Sequence, residues 1–119
     1  MSGPFAVHKH DEGGGVVRVA VHGEIDQDVG AALTMIIINA TDQADLRFLV
    51  VDLERVSFLA AAGVRSLLEG HEAARARGCG YQVINANGVV ADVLTAAAGA
   101  GVVLPSGPAP AVPGRSGSM

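Results

Sequence analysis

Arg47-Phe48-Leu49-Val50-Val51-Asp52 is an almost unbroken apolar run closed by a carboxylate. A strand carries apolar side chains at successive positions only when both of its faces are covered, so this segment predicts the centre of a sheet. Before it, residues 16–22 alternate, with Val17, Val19 and Val21 on one side and Arg18, Ala20 and His22 on the other, the pattern of a strand with one solvated face. Asp11-Glu12-Gly13-Gly14-Gly15 joins that strand to a short one near residues 5–8 and so predicts a hairpin at one side of the sheet.

Between and after these strands the period changes to that of helices. Asp26 or Asp28 offers a carboxylate to the free N–H groups of a first turn. Val29, Leu33, Ile36, Ile37 and Ala40 then fall on one stripe, with Asn39, Gln43 and Asp45 marking the polar flank and exit. On that helix Met35 and Ile38 point away from the stripe, which makes them a candidate apolar interface for a partner or for a weak homodimer. Single exposed apolar residues are also common without any such role. A second helix is expected over 62–77, stopping at Gly78, with Val64, Leu67 and Leu68 facing inward. A strand at 81–84, a helix at 89–98 and a short strand at 102–104 follow. The alternation of strands and helices predicts an α/β domain over residues 1–104, a mixed sheet with helices packed mainly on one face. From 105 to 119 the chain is Pro, Gly, Ser and Ala without periodicity, the composition of a disordered tail.

Composition narrows the function classes. With 119 residues, half of them hydrophobic, the chain can bury one core, and an aromatic content of 3% leaves that core to Val, Leu, Ile and Ala. The one cysteine, Cys79, excludes an internal disulfide framework. Met1-Ser2-Gly3-Pro4 lacks the basic region and apolar run of a secretory signal, and the longest greasy stretch, 31–38, is far too short to cross a bilayer. A cytoplasmic protein without membrane contact is therefore expected. A net charge of −4 without a basic stripe argues against nucleic acid and leaves a protein as the expected partner.

The segment Val50-Val51-Asp52-Leu53-Glu54-Arg55-Val56-Ser57-Phe58-Leu59-Ala60-Ala61-Ala62-Gly63-Val64 resembles the STAS domain of bacterial anti-anti-sigma factors. In that family a strand and its exit loop lead into an Asp-Ser-Ser/Thr-Gly-Leu helix start that carries a phosphorylated serine. Val19-Ala20-Val21-His22-Gly23-Glu24-Ile25-Asp26 is similar to the family's strand and Gly-Glu-Ile/Leu-Asp motif. Gly78-Cys79-Gly80-Tyr81-Gln82-Val83-Ile84-Asn85 fits its next strand, and residues 89–99 fit its third helix. The resemblance spans residues 5–104 and implies a STAS-type mixed sheet of about four to five strands with helices mainly on one face.

It also implies a function. The family's unmodified serine loop docks on an ATP-binding anti-sigma kinase, and phosphorylation ends the docking by adding charge to an interface built for a neutral hydroxyl. Here Ala61 stands at the position matching the serine and Ala60 at that matching the aspartate, so this control is absent. The partner-binding residues implied are Glu24, Asp26, Ala60, Ala61, Ala62, Gly63 and Val64. Either the chain is a permanently unmodified antagonist of an anti-sigma factor, or the loop has lost its binding role. The three alanines are also simply good helix formers. Ser57 and Ser66 are the nearest hydroxyls, and neither lies at the loop tip.

Other constellations are weaker. His8 and His10 share a strand face but lack a third ligand, so no metal is expected. Gly13-Gly14-Gly15 lacks the Gly-Lys-Ser/Thr of a phosphate loop. Ser66 and His71 are turned away from one another on their helix, and no nucleophile and base pair is formed. Cys79 lies between two glycines at a turn, with no resolving cysteine to support a redox role. No catalytic set assembles, and neither an enzyme nor a cofactor is expected. Beside the antagonist, two further classes fit a STAS resemblance: an accessory subunit of a transporter or ATPase complex, and a nucleotide sensor in which only Arg55 and Arg65 flank the loop.

Overall fold

The computed structural model describes residues 4–106. The elements follow in the order β1 (Ala6–Gly13), β2 (Val16–Ile25), α1 (Gly30–Ala40), β3 (Phe48–Leu59), α2 (Ala61–Ala76), β4 (Gly80–Ile84) and α3 (Gly88–Gly99). The four strands form one mixed sheet in the order β1-β2-β3-β4. β1 and β2 pair antiparallel through a turn at Gly14 and Gly15, whose φ values of 64° and 83° suit the right-handed twist of a tight hairpin. β2, β3 and β4 run parallel, so their C-terminal ends lie at one edge of the molecule.

The apolar run that predicts a central strand does lie in the middle of the sheet. Leu49, Val51 and Leu53 point into the main core with Val17, Val19 and Val21 of β2 and Val83 of β4. Alternate residues Val16, Val50 and Ile84 form a second, smaller cluster on the opposite face, with Phe48 against it. The buried residues of the helices, Leu33, Ile37, Val64, Leu67 and Val90, all belong to the main cluster, so the three helices cover one face.

The expected stripe of α1 does face the core: Gly30, Leu33, Ile37 and Ala40 are buried, and Ile36 and, just before the helix, Val29 pack half-buried against the same cluster. Several other expectations need correction. Neither Asp26 nor Asp28 caps α1. Val29 occupies the cap position without a side-chain hydrogen bond, and Asp26 Oδ1 instead accepts the N–H groups of Asp28 and Val29 at 2.9 and 3.2 Å, closing the turn before the helix. Leu68 is half-buried and sits at the rim of a groove. Residues 102–104 are not a strand. The N–H of Val102 is used by the carbonyl of Ala97 at 2.9 Å to close α3, and Gly101 turns the chain with φ 98°. Pairing with β4 begins only beyond, where Pro105 O accepts the Val83 N–H at 2.8 Å and Ser106 forms a single parallel bridge to Val83. The remainder of the expected tail, 107–119, and residues 1–3 lie outside the described residues.

Candidate functional site

The residues singled out by motif converge at the edge where β2 and β3 end. Ile25 pairs with Leu59 in the parallel ladder, and the next residue on each strand starts an exit loop. The two loops are clasped together, because the Ala60 N–H donates to the Ile25 carbonyl at 2.8 Å. Glu24 is exposed, and Asp26 is half-buried and held by its own turn. These two carboxylates and residues 60–64 therefore lie at the same end of the sheet, with Ala61 the exposed residue of the loop.

Ala60 is the N-cap of α2, extended at φ −84° and ψ 170°, with no side-chain hydrogen bond to the free N–H groups. Its carbonyl already accepts from Gly63 and Val64 at 2.9 and 3.2 Å, so the helix starts cleanly without a polar cap. Ala61 is exposed at the first helical position, Ala62 is half-buried, and Gly63 and Val64 are buried. Gly63 is required for close approach: a Cβ there would lie 2.7 Å from Ile25 Cγ2 and would also meet Leu59 Cδ1. The loop tip is thus small and neutral, with Gly63 and Val64 packed into the core beneath the exposed Ala61.

Ser66 is 1% exposed. Its Oγ accepts the Thr34 hydroxyl at 2.8 Å and lies 2.7 Å from the Gly30 carbonyl and 3.0 Å from that of Ala62. It is a clasp between α1 and α2. Ser57 is exposed on β3, before the loop. Met35 is 58% exposed, whereas Ile38 is half-buried, so the outward apolar face of α1 is narrower than helical geometry alone suggests.

Two other features were not among the sequence expectations. On the sheet face away from the helices, Asp52 accepts from Arg18 Nη1 at 3.2 Å, Asn85 Nδ2 at 3.0 Å and its neighbour Glu54 N at 3.0 Å, while Arg18 Nε donates to Glu12 at 3.1 Å. This network ties β1, β2 and β3 to the end of β4. The second feature is an apolar groove between α2 and α3 that begins at Ala61. Its signal was present as Ala61, Val64, Arg65 and Leu68, spaced i, i+3, i+4 and i+7.

Among the described residues no three His, Cys, Asp or Glu side chains are grouped to hold a metal. His8 instead packs edge-on against His22, with ring centroids 4.9 Å apart. His71 stacks on Tyr81 at 5.4 Å and takes no part with Ser66. No described helix is long and apolar enough to cross a membrane.

The arrangement is a mixed sheet backed on one face by three helices, with a strand-exit loop clasped to its neighbour and leading into a helix. The family model described as "Mlab, STAS domain" matches residues 8–104, and the chain belongs to the STAS domain family. Among solved structures, an anti-sigma factor antagonist from Mycobacterium paratuberculosis is similar at 28% identity and a TM-score of 0.74, with 92% of each chain covered. The unphosphorylated anti-sigma factor antagonist SpoIIAA is similar in fold, at 18% identity and a TM-score of 0.65, over 88% of this chain and 90% of that one. So is the murine anion transporter Slc26a9, at 18% identity and a TM-score of 0.64, over 81% of this chain and 17% of that one. No curated protein is similar to the chain at a significant level.

Proposed function

We propose that this STAS domain is a non-catalytic, cytoplasmic antagonist that docks on an ATP-binding anti-sigma factor of the kinase type and frees a sigma factor, without serine phospho-control. One observation carries the reading: Ala61 is exposed on the first turn of α2 at the centre of the clasped loops, while Ser66 is buried between two helices. The loop offers its partner a shape and no group that accepts phosphate. The similarity to the mycobacterial antagonist over nearly the whole chain supports the same reading. No cofactor or metal enters it.

The test is calorimetric titration against each purified anti-sigma kinase of the source organism, with and without ATP. One kinase is expected to bind the wild type equally in both conditions. Ala61→Ser is expected to bind without ATP, to gain the mass of one phosphate with it, and then to bind about tenfold or more weakly, because the dianion repels the neutral interface. No binding by any of these kinases would overturn the reading.

A second reading, an accessory STAS subunit of a transporter or ATPase complex, is supported by the likeness in fold to part of the anion transporter Slc26a9. Stoichiometric co-purification with an ATPase subunit would select it.

A further inference from the structure

The loop surface does not end at Val64. Ala61, Val64, Arg65 and Leu68 form one wall of a groove of about 490 Å³, Val93 and Ala97 of α3 form the other, and Leu59 and Val102 also line it. Arg65 is the only charged side chain in this lining, is exposed, and has no ion-pair partner among the described residues. A trough walled by two helical stripes, with a lone cation on its rim, has the form of a helix-in-groove site, in which apolar anchors repeat one turn apart.

We propose that the groove between α2 and α3 anchors an amphipathic helix of a partner protein, which seats an apolar side chain between Leu68 and Val93 and sets a carboxylate on Arg65. The inference rests on the reading of residues 60–64 as a docking face and extends that face along α2. The charge fixes the partner's chemistry. A cationic helix would be repelled by Arg65, and a neutral one would cover the guanidinium without replacing its water. A small amphiphile such as a fatty acid is disfavoured because the trough is open to solvent, whereas small-molecule sites bury most of the ligand.

The test uses the ¹⁵N-labelled full chain and two synthetic amphipathic peptides, identical except for Glu or Lys one turn from a Leu anchor, with sodium decanoate as a third probe. The Glu peptide is expected to shift the amides of Ala61, Val64, Leu68, Val93 and Ala97. Exchanging its Glu for Lys, or introducing Arg65→Glu in the protein, is expected to weaken binding about tenfold, and combining the two is expected to restore it. Arg65→Lys is expected to retain binding. Equal binding of both peptides, no shift at α3, or shifts with decanoate alone would overturn the proposal. The two readings fail separately. An anti-sigma kinase that binds equally to wild type and Arg65→Glu, leaving Val93 and Ala97 unshifted, removes the groove and keeps the antagonist. A charge-dependent Glu peptide with no binding kinase does the reverse.

Discussion

At the scale of the residue, Ala60 and Ala61 do different things. Ala61 is exposed, and changing it alters what the surface presents; Ala60 occupies the cap of α2, and changing it alters the helix itself. The first turn of α2 has neither a capping side chain nor an acidic residue. A carboxylate there would accept one of the free N–H groups and oppose the positive end of the helix dipole. Ala60→Asp is therefore expected to stabilise the fold by roughly 1 kcal/mol, read as a higher urea midpoint at an unchanged slope. An unchanged or lower midpoint would mean that the loop cannot turn a side chain toward the helix. That residues 60–62 carry no hydroxyl or carboxylate was legible from the sequence. That Ser66 is buried was not, because its burial depends on where α1 lies.

At the scale of the element, α1 and α2 run side by side in the same direction, since Gly30 meets Ala62, Thr34 meets Ser66 and Ile37 meets Gly70 in order along both. Small residues let the backbones approach. A Cβ on Gly70 would run into Ile37 Cγ2 and would reach Tyr81 Oη at 3.0 Å. Ile37 is β-branched and stiff within its helix, so it cannot swing aside. Gly70→Ala gains about 1 kcal/mol of helix propensity. Overpacking outweighs that gain, and a net loss of about 1–2 kcal/mol is expected, measured as a lower urea midpoint. Stabilisation would show instead that the two helices can separate freely. α3 is held more lightly: Val90 is its only buried residue, and grooves flank it on both sides. Periodicity located α2 and α3 to within a residue at each end, but it carried the exit of α1 to Gln43 and Asp45, beyond its observed end at Ala40, and it assigned Leu68 inward, because spacing along α2 cannot tell how closely α3 approaches. It also assigned a strand to 102–104, where three apolar residues look extended; the backbone there is spent on closing α3.

At the scale of the whole molecule, Tyr81 joins the sheet to the helix layer. Its hydroxyl donates to the Leu67 carbonyl at 2.8 Å, and burial pushes its pKa well above the ordinary phenol value of 10.0. The charged form is the one disfavoured in the folded state. Below pH 10 both folded and unfolded chains keep the proton, and the contribution is intact; above it the unfolded chain ionises while the folded one does not, so stability falls as pH rises. Tyr81→Phe is expected to flatten the loss of stability between about pH 9 and pH 11, measured by urea unfolding, since this is the only tyrosine in the chain. An equal loss in both proteins would place the alkaline sensitivity elsewhere. The order of strands and helices, the buried central strand, the hairpin and the neutral loop were determined by the sequence itself, because periodicity, turn glycines and side-chain chemistry are local properties. The clasp from Ala60 to Ile25, the burial of Ser66, the Asp52 network and the groove beneath Arg65 were decided only by the tertiary structure. Each depends on the distance between segments far apart in the chain, and that distance is set by packing.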